Sequence, residues 1–345
     1  VKPAGWQGRR VLVTGHTGFK GAWLRLWLER LGADVHGLAL EPPTTPSLHA
    51  LVGAENSEPI DVRDGERVAA RIKEVEPEVV FHLAARALVR PAFTDPVGTY
   101  EVNVLGTVNV LEAARHAPSI RTVVVITSDK VYLPDEEGRP HAEDATLGGV
   151  EPYSASKAAA ELVAAAYRGY FDPGVGLATA RAGNVIGGGD WAVDRVVPDV
   201  VRAIERSEPV VLRNPQALRP WQHVLEPLHG YLMLAERLLE DPASAPRSLN
   251  FGPDGAAPVA EVVERLSAGF GGRPGWRQDE AVQAVPETRA LSLDASRAHS
   301  ELGWRPVLDL GEMLDWTAEW YRGYFEGGDA RERTLGQIAS YEERV

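Results

Sequence analysis

The run Thr14-Gly15-His16-Thr17-Gly18-Phe19-Lys20-Gly21 limits this chain more than any other feature. It follows a short apolar strand pattern, residues 10–14, and opens a stretch with apolar residues at helical spacing, residues 18–31. The glycines read GxxGxxG. Gly15 permits a tight turn, Gly18 lets the backbone approach a pyrophosphate, and Gly21 lets the helix lie close to the strand. A helix N-terminus at this point offers N–H groups and positive dipole to phosphates. A glycine triplet alone is a weak signal. Its place between a first strand and a first helix points to a bound dinucleotide.

The first half of the chain continues in the same alternation. Strand patterns fall at 35–40, at a segment ending in Pro59-Ile60-Asp61, and at 79–83, 122–128 and 175–180. Helical patterns fall at 66–75, 97–116 and 153–171. Near-continuous apolar strands separated by helices predict a parallel sheet covered on both faces. The expected fold is α/β, a Rossmann-type doubly wound sheet with a smaller mixed C-terminal lobe. Residues 1–182 would form the dinucleotide-binding domain and carry the catalytic groups. Residues 183–345, richer in Gly, Pro and Trp, would mainly bind substrate, with a strand or helix returning to the first domain. Helices are expected there at 196–206, 225–239, 259–268 and 310–324. The acidic tail after Gly327 reads as a solvated helix.

Composition narrows the function. The chain has no cysteine, which excludes disulfides, thiolate metal sites and a cysteine nucleophile. No metal site is expected, and a reducing, cytoplasmic setting fits. No apolar run reaches membrane-spanning length, and Val1 to Arg10 lacks the apolar core of a signal peptide. A net charge of −13 argues against nucleic acid. An anionic small substrate would need local arginines and helix N-termini working against the global field.

Tyr153-Ser154-Ala155-Ser156-Lys157 places Tyr and Lys on one helical face. Lys157 could then depress the Tyr153 pKa and hold a nicotinamide ribose, letting the phenolate take a hydroxyl proton as hydride leaves the same carbon. Thr127-Ser128-Asp129 at the preceding strand end adds Ser128 as a hydrogen-bonding partner of that hydroxyl. Asp129-Lys130 supplies an acid and a base beyond what a simple dehydrogenase requires; the bland reading is a surface pair starting a loop. An acidic residue is expected at the second strand's end to bind the adenosine ribose. Ala39 stands there and Glu41 is two residues on, so NAD and NADP both stay open. Asp61 either accepts from an adenine amino group or caps the next helix.

With these residues in view, the chain resembles the extended short-chain dehydrogenases, and most specifically their CDP-glucose 4,6-dehydratase branch. The resemblance runs from Gly8 to about Tyr324. It includes the glycine turn, Thr127-Ser128-Asp129-Lys130, the run from Arg181 through Gly187-Gly188-Gly189-Asp190-Trp191, Arg219-Pro220-Trp221-Gln222-His223-Val224, and Asn250-Phe251-Gly252-Pro253. TDP-glucose dehydratases carry Asp-Glu where this chain has Asp129-Lys130, which favours the CDP branch. Arg86 stands where the branch usually has Gln, near the expected cofactor or pyrophosphate.

The resemblance implies tightly bound NAD, regenerated each cycle, and CDP-glucose as substrate. Ser128, Asp129, Lys130, Tyr153 and Lys157 would be catalytic. Gly15, His16, Thr17, Gly18, Phe19, Gly21, Glu41, Asp61, Leu83, Ala84, Ala85, Tyr153 and Lys157 would meet the cofactor. Asn184, Arg195, Arg213, Arg219, His223 and Arg86 would meet the substrate, with His223 otherwise a core histidine. Lys130 would take the C5 proton and Asp129 protonate the C6 hydroxyl, or the two roles are exchanged or share a proton. A homodimer through helices near 99–116 and 154–170 is expected. An epimerase or reductase on the same scaffold, or a dehydratase for another nucleotide sugar, is the near alternative, and a non-catalytic cofactor sensor the remote one.

Overall fold

The computed structural model describes residues 1–53, 58–135, 137–272, 275–278 and 292–345. Its centre is a parallel sheet of six strands: β1 (Arg10–Thr14), β2 (Asp34–Leu38), β3 (Val79–His82), β4 (Thr122–Ile126), β5 (Gly176–Ala182) and β6 (Ser248–Phe251). The spatial order is β6-β5-β4-β3-β1-β2. β3, β4 and β5 are buried along their whole length, which is why they read as unbroken apolar runs.

Alternation along each strand divides the core in two. Val11, Val13, Phe81, Val124 and Ile126 face Trp23, Trp27 and Leu28 of α1 (Phe19–Arg30). Leu12, Val80, Val123 and Val125 face Val68, Ile72, Val110 and Leu111 on the other side. The chain runs from β1 outward to β2, then returns to the other side of β1 at β3. That reversal opens a crevice at the carboxyl ends of β1 and β3, where the glycine turn lies.

Three expectations are corrected. No strand ends at Pro59-Ile60-Asp61: the Ile60 N–H donates to the Ala39 carbonyl at 2.9 Å, and the chain then turns into helix Gly65–Val75. Asn184 therefore follows the fifth strand of the chain. The helix expected over 97–116 is three pieces, Pro96–Tyr100, a π-helical turn at Glu101–Leu105, and Gly106–Arg115. The acidic tail forms helix Ala330–Glu342, but it is not merely solvated. Ala330, Thr334, Ile338 and Tyr341 bury one face, and the Tyr341 ring meets Trp27 of α1 edge-on at 5.6 Å.

The second half of the chain is tied into the first. β6 pairs with β5 from Ser248↔Thr179 to Phe251↔Ala182, and helix Leu225–Glu240 packs on β4 and β5. The glycine-rich run after β5 serves this packing. A Cβ on Gly188 would lie 2.0 Å from the Trp320 ring, and the Tyr321 hydroxyl binds both the N–H and the carbonyl of Asp190.

Candidate active site

The crevice begins with backbone. Gly15 takes φ +72°, and a Cβ there would lie 2.7 Å from the Ala84 nitrogen; one on Gly21 would lie 2.2 Å from the Gly15 carbonyl oxygen. Only glycine closes this turn from β1 into α1 against the backbone that follows β3. Gly18 caps α1 without a side-chain hydrogen bond, and no acidic residue occupies the first turn. The opening N–H groups of α1 thus face the crevice uncapped, an arrangement that suits a pyrophosphate. The Thr17 hydroxyl donates to the Leu40 carbonyl at 3.0 Å, which fixes the loop after β2. The His16 ring lies under the turn, against Gly37 and edge-on to His49 at 5.1 Å. Burial lowers its pKa to about 4, so it is a neutral packing group.

Loop Leu83-Ala84-Ala85-Arg86 is held by Asn103, which sits in the π-helical turn. Asn103 accepts from the Arg86 N–H at 2.8 Å and donates to the Ser156 hydroxyl at 2.9 Å. One buried amide therefore joins the crevice wall to the helix bearing Tyr153.

That helix, Pro152–Tyr167, starts where Glu151 caps it. The carboxylate accepts from the N–H of Tyr153 at 2.7 Å and of Ser154 at 2.9 Å. Tyr153 and Lys157 then face the end of β4, both buried. The Lys157 ammonium donates to the Ile126 carbonyl at 3.0 Å, and burial lowers its pKa to about 8. Burial raises Tyr153 to about 12, while the Ser128 hydroxyl and the Arg195 charge pull it down. The depression expected from Lys157 is not seen: the net shift of Tyr153 is upward through burial, and the groups that oppose it are Ser128 and Arg195.

Ser128 ends β4's extension and bonds two ways: it donates to Asp129 Oδ1 at 2.9 Å and accepts from the Lys130 N–H at 3.2 Å. Asp129 is 4% exposed, so the bland reading of a surface pair does not apply to it. Its Oδ2 has no hydrogen-bond partner and lies so close to Gly183 that a Cβ there would be 2.5 Å away. Burial raises the Asp129 pKa, against the charges of Lys130, Arg219 and Lys20 and the Ser128 hydrogen bond. The site thus holds a carboxyl biased toward its protonated form beside a half-buried lysine.

Behind these groups lies a buried ion pair. Arg181 on β5 clasps Glu161 with bonds of 2.9 and 2.7 Å, and Glu161 also accepts from the hydroxyls of Thr127 and Thr179. Both charged side chains are under 5% exposed. The pair locks the residue preceding Ser128 to the helix of Tyr153.

The expected substrate residues divide. Arg219 is buried with its charge acting on Asp129, and Arg195, ion-paired to Asp190 at 3.1 Å, acts on Tyr153. Asn184 is half-buried just past β5, with its carbonyl bound by the Gln222 N–H. Arg213 lies farther out, sharing Asp194 with Arg90. His223 is corrected: it is fully buried between the Trp23 and Trp316 rings, and burial holds its pKa near 3. It is a core histidine. Arg86 pairs with Asp95, and its charge acts on Asp61.

On the cofactor side, Asp61 binds Arg63, which also reaches Glu101. Asp64, not Asp61, caps the following helix. Glu41 is exposed in the loop after β2.

Lys20, Tyr231, Glu151 and Glu161 belong to this site and were not singled out from sequence. Lys20 alone had a signal there, as a cation inside the glycine turn. Among the described residues no group of His, Cys, Asp or Glu could hold a metal ion, and no helix is long and apolar enough to cross a membrane.

Comparison with known proteins follows this geometry. Residues 11–252 match the model of the NAD dependent epimerase/dehydratase family. A CDP-glucose 4,6-dehydratase of Salmonella typhimurium is 45% identical over 348 residues, covering 97% of each chain. A UDP-glucose 4-epimerase of Mycolicibacterium smegmatis is 29% identical, over 91% of this chain and 98% of its own. Among solved structures, MoeE5 in complex with UDP-glucose and NAD superposes with a TM-score of 0.78 at 28% identity, over 92% of this chain and 99% of that one.

Proposed function

This chain belongs to the NAD dependent epimerase/dehydratase family, and from that premise we propose that it is a nucleoside-diphosphate-glucose 4,6-dehydratase acting on CDP-glucose. The observation that carries the reading is Asp129, a buried carboxyl biased toward protonation, adjacent to Lys130 and hydrogen-bonded to Ser128. Epimerisation and single-step reduction call for no such acid. The higher identity to a CDP-glucose dehydratase than to a UDP-glucose epimerase supports the same choice.

The glycine turn and the uncapped start of α1 would hold NAD, which when bound takes a hydride from C4 of the sugar and returns it to C6. The rest is proton handling by side chains. Tyr153 takes the C4 hydroxyl proton, with Ser128 orienting that hydroxyl. The resulting 4-keto group acidifies C5. Lys130, in its neutral form, takes the C5 proton, and Asp129 gives its proton to the departing C6 oxygen. The C6–O bond breaks, water leaves and a C5–C6 double bond forms. As the hydride reaches C6, Lys130 returns its proton to C5. The product is a 4-keto-6-deoxy sugar nucleotide. Arg219 and Arg195 suit the pyrophosphate, because a guanidinium matches phosphate oxygens in charge and geometry.

We also infer a homodimer. Val97, Leu105 and Leu162, on helices that pack together beside the crevice, and Tyr170, in the turn after the helix of Tyr153, are each more than half exposed. A patch of this kind fits a second copy.

The test is incubation with CDP-glucose, TDP-glucose, UDP-glucose and GDP-mannose in turn, with and without added NAD, followed by product mass. Loss of one water from CDP-glucose alone is the expected result. Loss from another sugar nucleotide would keep the mechanism and discard the CDP assignment. No loss from any would overturn the dehydratase reading.

A further inference from the structure

His82 is the last residue of β3, one step before the crevice wall at Leu83-Ala84. It is 2% exposed and bonded at both ring nitrogens. Nδ1 lies 2.7 Å from the hydroxyl of Thr14, which leads into the glycine turn, and Nε2 lies 3.1 Å from the hydroxyl of Thr107 in helix Gly106–Arg115. The neighbours of these hydroxyls fix which nitrogen carries the proton. The Thr107 hydroxyl gives its single proton to the Asn103 carbonyl at 2.7 Å, so toward His82 it can only accept. The Thr14 hydroxyl accepts from the Ala84 N–H at 3.1 Å, and its own proton finds its acceptor in His82 Nδ1. His82 is therefore neutral and protonated at Nε2. The opposite tautomer would set the Thr107 and Asn103 oxygens 2.7 Å apart with no proton between them and would strand the Thr14 proton. Burial, with the Lys157 charge acting the same way, lowers the ring's pKa to about 3, in keeping with a neutral ring.

The bonds then run in one direction. Ala84 donates to Thr14, Thr14 to His82, His82 to Thr107 and Thr107 to the Asn103 carbonyl. The Asn103 amide donates to the Ser156 hydroxyl at 2.9 Å, and that hydroxyl donates to the Tyr153 carbonyl at 2.7 Å. Thr14, His82, Thr107, Asn103 and Ser156 are each at most 2% exposed, and no polar side-chain atom among them lacks a partner. Water therefore has no access to replace a missing member, and each donor polarises the next. We infer that His82, as its Nε2–H tautomer, is a positioning residue that sets the gap between the glycine turn and the helix of Tyr153 and Lys157, and with it the fit of NAD across the crevice.

The two sides of that gap suit opposite ends of the cofactor. The turn and the uncapped start of α1 suit the pyrophosphate, and Lys157 the nicotinamide ribose. Between them runs the loop from Ala84 to Arg86, and the chain through His82 ties it at both ends: the Ala84 N–H is held by Thr14 and the Arg86 N–H by Asn103 at 2.8 Å. Gly15 sits so close to this loop that a Cβ on it would lie 2.7 Å from the Ala84 nitrogen, so Ala84 cannot shift toward the turn without displacing it. This role does not depend on which sugar nucleotide reacts, because it concerns the seat of NAD.

The experiment uses the full chain labelled with ¹⁵N at histidine, with the His82 ring signals assigned by their loss in His82→Phe. Wild type should show His82 protonated at Nε2 alone. Thr107→Val removes the acceptor at Nε2 and should move the ring toward the Nδ1–H tautomer, while Thr107→Ser should keep Nε2–H. Release of radiolabelled NAD into excess unlabelled NAD is followed on the same proteins. It should be about tenfold faster in Thr107→Val, the size of effect that one unpaired buried donor produces. It should be at least as fast in His82→Phe and close to wild type in Thr107→Ser. A chain that served the fold alone would lower the melting temperature of Thr107→Val and leave NAD release unchanged, and that result overturns the proposal. A wild-type His82 protonated at Nδ1 overturns it as well. The two Thr107 variants keep the test open should His82→Phe fail to fold.

Discussion

At the scale of single residues, the chemistry turns on where a proton rests. Burial raises the Asp129 pKa. The proton needed at C6 is therefore present below that raised value and is lost as pH rises through it. Dehydration should fall on the alkaline side, and Asp129→Asn should lower it by about 10²–10⁴-fold and remove that limb, read from a pH–rate profile. The same shift governs stability. A carboxyl with a raised folded-state pKa supports the fold below its unfolded value and loses that support as pH rises through the folded one. Asp129→Asn should therefore gain melting temperature relative to wild type as pH increases, while losing activity.

Legibility also differs residue by residue. Ser128, Asp129, Tyr153 and Lys157 could be read because their spacing follows from strand and helix geometry. His223 could not be separated from a ligand contact, because its enclosure by Trp23 and Trp316 comes from residues 200 and 93 positions away. Nothing in the sequence marked Asp95, nine residues on, as the partner of Arg86. Lys20 was hidden by position: flanked by Gly21, it read as part of a turn made of backbone. Only the fold brings Tyr231, 211 residues later, to its amine.

At the scale of elements, the candidate active site is a junction between β4, β5 and the helix of Tyr153. The Arg181–Glu161 pair is the fastener, and it is fully enclosed by Thr127, Thr179 and Tyr132. Removing one charge leaves the other buried without its partner. Glu161→Gln should cost about 3–5 kcal/mol in denaturant unfolding. It should also impair turnover beyond any loss of folded protein, because Thr127 is freed next to Ser128. Sequence periodicity gave this region's strands and helices but no sign of the clasp, since Arg181 is the next-to-last residue of a largely apolar strand. Short elements were the least readable. The Pro59-Ile60-Asp61 segment imitates a strand end yet makes one ladder-like bond, and β6, with Ser and Asn in a four-residue run, does not look like a sheet strand.

At the scale of the whole molecule, the apolar patch over Val97, Leu105, Leu162 and Tyr170 predicts the assembly. The chain should sediment as a dimer, and a double substitution of Leu105→Glu with Leu162→Glu should yield folded monomers with an unchanged far-ultraviolet spectrum. Dimers persisting in that variant would place the interface elsewhere.

The pairing of β6 with β5 has a consequence for the birth of the molecule. Ribosomes deliver β5 well before β6, with 65 residues between them. At about 5–20 residues per second, the outer margin of the sheet waits on the order of ten seconds for its last strand. During that interval the nascent chain carries every side chain proposed as catalytic from Ser128 to Lys157, yet β5 offers an open row of backbone donors and acceptors to any passing strand. A chaperone holding the emerging polypeptide should therefore be needed longest in that window, and translation stalled between residues 182 and 248 should leave an aggregation-prone half rather than a small working enzyme.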